Sequence, residues 1–204
     1  MAVIQSGAGA TNLTIDPNSN AARVTCYGTD GTPSTNIGKT TYMAASAAFT
    51  PPATPNDVFS IYGSASKTVR VTRIGISGIQ NTAGVNSWFL IKRSTANTGG
   101  TPTTLTNVPN DSNNTAATAT VVNYTANPSP LGSTVGTVWS GKINSPAAAT
   151  AGIGGLQGIV LDFVDMFGQP ICLRGTAQGL VWNFNSAGLP AGLSLLIWCQ
   201  WTEE

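Results

Sequence analysis

Apolar side chains recur along this chain with a period of two, in short runs divided by turn residues. In order the runs are "DVFSIYG" (57–63), "KTVRVTRIGIS" (67–77), "NSWFLIKRS" (86–94), "TATVVNYTA" (118–126), "VGTVWSGKI" (135–143), "QGIVLDFVD" (157–165), "PICLRGT" (170–176), "GLVWNFN" (179–185) and "LSLLIWCQW" (193–201). Val, Ile, Thr, Trp and Phe dominate them, the residues that fit a pleated, half-buried surface. The connections "FGQP", "TAQG" and "GLPAG" are rich in Gly and Pro, as turns between strands require. No window of a dozen residues carries a clean helical period. This pattern predicts an all-β fold, an antiparallel β-sandwich or barrel without crossover helices.

One run changes phase. In "KTVRVTRIGISG" (67–78), Val69 and Val71 share one face, while Ile74 and Ile76 continue in the opposite register. One extra residue near Thr72–Arg73 brings all four to the same side. The expectation is a β-bulge that bends a long strand around a sandwich corner. Arg70 then points outward, with Lys67 and Arg73 near the ends of the bend.

The rest of the chain is organised around these runs. Residues 1–20 read as an extended arm of Gly, Ala, Asn, Thr and Ser, and "AARVTCYG" (21–28) as a short strand ended by "TDGTP". "TTYMAASAAF" (40–49) is the one segment that reads as a short helix. "TPPATPND" (50–57) is the strongest punctuation, because adjacent prolines favour extended conformation. It divides an N-terminal arm or small subdomain (1–55) from a sandwich body (56–204). Three segments interrupt the strand rhythm: 95–119, 124–134 and 143–155. Long loops of this kind collect at the ends of a sandwich, where binding usually occurs.

Composition narrows the function classes. The chain has 204 residues, 41% apolar but only 8% charged, against roughly 25% charged for an ordinary soluble domain. A net charge of +1 offers no field for nucleic acid or an anionic membrane. A surface this neutral suits permanent packing against protein. There is no histidine, which removes the commonest general base and metal ligand. Cys26, Cys172 and Cys199 are odd in number and lack metal-knuckle spacing, so they read as small buried thiols. No basic leader, and no apolar run near the roughly 20 residues of a membrane span, is visible. The chain is therefore expected to be made in a cytoplasm, where the sequons at Asn12, Asn113 and Asn123 stay unmodified.

Candidate chemistry is sparse. Asp162 and Asp165 lie three apart, so on a strand they face opposite ways and cannot act as a general acid/base pair; a strand-end or capping role fits them. "DSNN" (111–114) lacks the glycine and terminal glutamate of a calcium loop. Lys92 and Arg93 follow the apolar "WFLI" and read as a solvated strand end or an anion or partner contact. Trp88, Trp139, Trp182, Trp198 and Trp201 alternate with aliphatics, as core or subunit interface does. No nucleophile–base pair, phosphate cradle or cofactor motif is present. The basic residues Arg23, Lys39, Arg70, Arg73, Lys92 and Arg93 are the candidate partner contacts.

Several strings together carry a family resemblance: "GSASKTVRVTRIGISG", "FLIKRSTANTGGTPT", "PNDSNNTAATA", "YTANPSPLGSTVGT" and "LRGTAQGLVWNFNSAGLPAGLSLLIWCQWTEE". Over residues 57–204 the chain resembles small virion-associated proteins of tailed bacteriophages. The resemblance implies a β-sandwich of jelly-roll type built into the particle, with no catalytic motif. The function expected is that of a capsid decoration (cement) protein, a non-enzyme without cofactor. Its partners would be the major capsid protein and itself, as a homo-oligomer and commonly a trimer. The arm would touch the shell, and neither nucleic acid nor membrane would be bound. The alternative is a fibre, tail or head-spike component binding a host-surface glycan. A carbohydrate-binding sandwich with no virion role is a third reading.

Overall fold

The computed structural model describes residues 14–15, 22–23, 39–145 and 154–204. The chain divides into two compact units, Met1–Lys39 and Thr40–Glu204. In the first, β1 (Thr14–Ile15) pairs antiparallel with β2 (Ala22–Arg23), which puts Arg23 opposite Thr14. The strand expected over 21–28 is described only at those two residues. The arm over 1–20 is described only at β1, and Cys26 and most of the 143–155 segment lie outside the described residues.

The second unit is an antiparallel β-sandwich. Its strands are β3 (Thr40–Ala45), β4 (Asp57–Tyr62), β5 (Val69–Gln80), β6 (Gly84–Arg93), β7 (Pro102–Thr104), β8 (Val108–Pro109), β9 (Thr120–Tyr124), β10 (Thr134–Ser145), β11 (Gly154–Asp162), β12 (Ile171–Leu173), β13 (Gly179–Asn183) and β14 (Ser194–Glu203). One sheet runs β10-β6-β13-β4-β9-β7; the other runs β11-β5-β14-β3-β8, with β12 also on β5. The eight principal strands pair in nested fashion: β3 with β14, β4 with β13, β5 with β11 and β6 with β10.

The phase change in β5 is a bulge. Arg73 pairs with Gln200 and Val71 with Trp201, so Thr72 is the extra residue. Its Oγ1 donates to the Gln200 carbonyl at 3.1 Å. Val69, Val71, Ile74 and Ile76 consequently all lie in the core, essentially without exposure. Trp88, Trp182 and Trp201 are also fully buried, with Trp88 and Trp139 both edge-on to Trp182 at 5.9 Å.

Four sequence expectations are corrected. The segment read as a helix is strand β3, with Tyr42 and Ala44 buried and Met43 and Ala45 outward. It pairs along β14, so the sandwich takes in residues 40–55 and begins before the boundary drawn at 56. The run "QGIVLDFVD" ends as strand at Asp162, and α1 (Phe163–Phe167) follows. Finally, the long polar segment 95–119 contributes β7 to one sheet edge and β8 to the other.

Segments 94–101 and 125–133 are laced together, for example by Ser94 N to Ser133 O at 2.9 Å and Ser129 N to Thr98 O at 2.8 Å. Beneath them, Arg93 donates through Nε and Nη2 to the Asp57 carboxylate at 2.6 and 2.8 Å. Arg93 Nη1 donates to the Gly132 carbonyl at 2.7 Å, and Asn97 and Asn183 donate to Asp57 at 2.8 and 2.6 Å. Both charged groups are 3% exposed or less. Arg93 is therefore no partner contact and no solvated strand end: an acid 36 residues earlier in the chain withdraws it from the surface.

Two outcomes follow for stability. Deleting Thr72 puts Val69 and Val71 out of phase with the isoleucines, at about 1.5–3 kcal/mol for each apolar side chain expelled. A cooperative thermal transition followed by tryptophan fluorescence should disappear, whereas Thr72→Ala should fold and lose only about 1 kcal/mol. Arg93→Ala leaves a buried, uncompensated carboxylate, and urea denaturation should show a loss of about 3–5 kcal/mol.

Candidate functional site

The charges that sequence reading reserved for partners are largely engaged within the chain. Arg70 pairs with Glu204 and also donates from Nη1 to the Cys172 sulfur at 3.0 Å. Arg73 pairs with Asp162 across neighbouring strands. Lys92 Nζ donates to the Cys172 carbonyl at 3.0 Å. Lys39 is exposed immediately ahead of β3 and, like Arg23, belongs to the first unit. Asp162 is the N-cap of α1, its Oδ1 accepting from the Val164 and Asp165 amides at 3.0 Å. Those amides, the Asp165 one foremost, and Arg73 hold its carboxyl below the usual range. The capping role is thus observed. "DSNN" forms a local turn, with Asp111 Oδ1 accepting from Asn113 N at 2.9 Å.

Among the described residues, Glu203 is the most heavily bonded acid. Its carboxylate accepts from Thr118 N and Oγ1, Ala119 N and Trp201 Nε1 at 2.7–3.0 Å, with Lys67 Nζ at 3.6 Å. Burial pushes its pKa up, but the bonds from Thr118, Trp201 and Ala119 outweigh burial, and the net shift is downward. Cys199 is a fully buried thiol whose pKa burial raises; Cys172 is half-buried and free. Among the described residues no three His, Cys, Asp or Glu side chains gather as a metal cluster. None of the described helices is long and apolar enough to cross a membrane. An open groove of about 240 Å³ between residues 50–53 and 189–193 is lined by Pro, Ala, Leu, Gly and Thr and holds no titratable side chain.

The remaining feature is a surface. Of the sandwich's two outer faces, that of the β10–β7 sheet is closed over Ser60, Val181 and the Asp57–Arg93 pair, all buried. Among the described residues, none closes over the face of the β11-β5-β14-β3-β8 sheet as the loops do over Asp57 and Arg93, and several of its side chains are exposed. Register sets its rows: Val160, Gly75, Trp198 and Ala45 across four strands, then Asp162, Arg73, Gln200, Met43 and Val108 across five. Leu196 and Ile79 continue it toward the far end of β14 and β5. Met43, Ile79, Val108, Val160 and Leu196 are each between 39% and 56% exposed. Trp198 lies down over Gly75, where a Cβ would sit 2.4 Å from the indole Nε1. The absence of a side chain at residue 75 is what lets the indole flatten the face. Beyond the β11 end, α1 adds exposed Val164, Met166 and Phe167.

Sequence reading allowed the tryptophans a subunit interface but did not locate this face, although the chain held a signal. "LSLLIWCQW" is apolar at both parities, which marks a strand covered on both sides. Only one side is covered here. No family model, curated protein or solved structure matches the chain.

Glu203 generates a pH prediction. Its folded pKa is depressed, so its contribution to stability is fully present above its ordinary value of 4.5 and is lost as pH falls through the folded value. Urea midpoints measured between pH 7 and pH 3 should fall for the wild type. They should fall less for Glu203→Gln, which starts less stable at pH 7. Parallel curves for the two proteins would remove Glu203 from this role.

Proposed function

We propose that the chain is a structural, non-catalytic protein of a tailed-bacteriophage virion, a decoration (cement) protein that sits on the capsid surface and stabilises the major capsid protein shell. One observation carries this reading: a sheet face on which Met43, Ile79, Val108, Val160 and Leu196 are exposed around Trp198, and whose charged side chains among the described residues, Arg70 with Glu204 and Arg73 with Asp162, cancel in pairs. Such a face is cheap to desolvate and gains about 25 cal/mol for each Å² of apolar area covered, before the ordering costs of association. The near-neutral composition and the resemblance over residues 57–204 support the same assignment. The nested strand pairing supports a jelly-roll sandwich. On this reading the protein is made in the host cytoplasm, associates with itself, and touches the shell through the segment that precedes the sandwich.

The glycan-binding alternative leans on five tryptophans as stacking platforms. Trp88, Trp182 and Trp201 are fully buried, which leaves Trp198 and Trp139, the latter packed against the core, as the partly exposed ones. The long polar loops, the other support for that alternative, are spent on sheet edges and on closing one face.

Quantifying the protein on purified particles and locating it by labelling tests the proposal. Many copies spread over the shell are expected, and adding the protein to bare shells should raise their melting temperature. A chain starting at Thr40 should fold yet bind shells much more weakly. A few copies confined to the tail, or undiminished binding by the shortened chain, would contradict the assignment.

A further inference from the structure

We infer that the outer face of the β11-β5-β14-β3-β8 sheet is a twofold interface occupied by the same face of a second copy of this chain. The inference builds on the proposed assembly role and names the surface that joins copies to one another. Three observations select a second copy. The first is charge: Arg73 with Asp162, and Arg70 with Glu204, neutralise each other inside the face. A strongly acidic or basic partner would find no complement there, while two copies meet without repulsion. The second is shape. Trp198 lying flat on Gly75, with Ala45 and Ser77 as small neighbours, makes an even surface suited to sheet-on-sheet packing. The third is area. The sheet is about 20 Å across and about 30 Å along its longest strands. That is on the order of 600 Å², near the roughly 800 Å² each partner gives a standard interface.

Symmetry follows from what else the molecule offers. A ring of three needs a second, different patch complementary to the first. Among the described residues, the opposite outer face is covered over β4 and β13, where Asp57, Ser60, Val181 and Arg93 are buried, while Val85 on β6 and Val135 on β10 are exposed singly. Val85, Leu131 and Val135 are exposed away from the face, and α1 adjoins it at the β11 end. Among the described residues the broadest run of exposed apolar side chains is the face itself, and a self-matching patch closes at two. The structure therefore points to a dimer where the family resemblance implies a trimer. Trp198 occupies the centre of the contact, the usual place and residue type for an interface hot spot.

Sedimentation velocity on the full chain at micromolar concentration is the test. Wild type should run at twice the chain mass. Leu196→Glu and Val160→Glu, each at an exposed strand position, should run as folded monomers, with dimerisation weakened on the order of 100-fold or more. Val135→Glu, outside the face, should remain a dimer. A wild-type monomer or trimer, or a dimer that survives both Glu substitutions within the face, would overturn the inference. Shell binding measured on the same variants keeps the two readings apart. A trimer that coats shells sinks the twofold face alone, and a dimer that ignores shells sinks the decoration role alone.

Discussion

Asp57 and Arg93 sit on the outward side of one sheet, where a charged pair would ordinarily lie in water. Here two polar segments close over it, and the carboxylate meets four side-chain donor groups from Arg93, Asn97 and Asn183. The pair thereby ties β4, β6 and β13 to the segments around Asn97 and Gly132. With its partners satisfied, burial of the pair is tolerable, and breaking it is what costs. The consequence reaches across the molecule. One outer face is covered over β4 and β13 by the chain's own loops, and the other shows Met43, Ile79, Val108, Val160 and Leu196 exposed among polar side chains and paired charges. In a chain with nine basic and eight acidic residues, much of the charge is spent inside, and little remains to solubilise that second face.

Local alternation made most of the fold legible. The β5 bulge could be placed to within a residue because four apolar side chains need one face, and a period of two admits a single correction near Thr72. Asp162 was legible as a cap because short acids bond the amides that follow them. The misreadings have physical causes. "TTYMAASAAF" is rich in alanine, a helix former, yet pairing with β14 overrides that preference and sets Tyr42 stacked on Trp201 at 5.8 Å. The 95–119 segment looks like a loop because β7 and β8 are two or three residues of Pro, Thr and Val at sheet edges. Arg93 resembles any strand-end base, since nothing local reveals that Asp57 will lie beside it.

The candidate surface was half legible. Apolar residues at both parities of β14 signalled cover on two sides, and the core supplies only one. The charged residues marked out as partner contacts were a poorer guide, because in a charge-poor chain each base is worth more as an internal tie than as bait for a partner. Arg70, Arg73 and Arg93 all serve that way. Recognition here is accordingly a matter of area and fit, with Trp198 at the centre, rather than of electrostatic steering.

The central claim is that this protein works by covering and being covered, without chemistry. An image of the intact particle at a resolution that separates strands tests it most directly. The account predicts subunits arrayed on the capsid shell, with Leu196, Trp198 and Val160 buried against another subunit. Subunits found only at the tail, with that sheet face open to solvent, would contradict it.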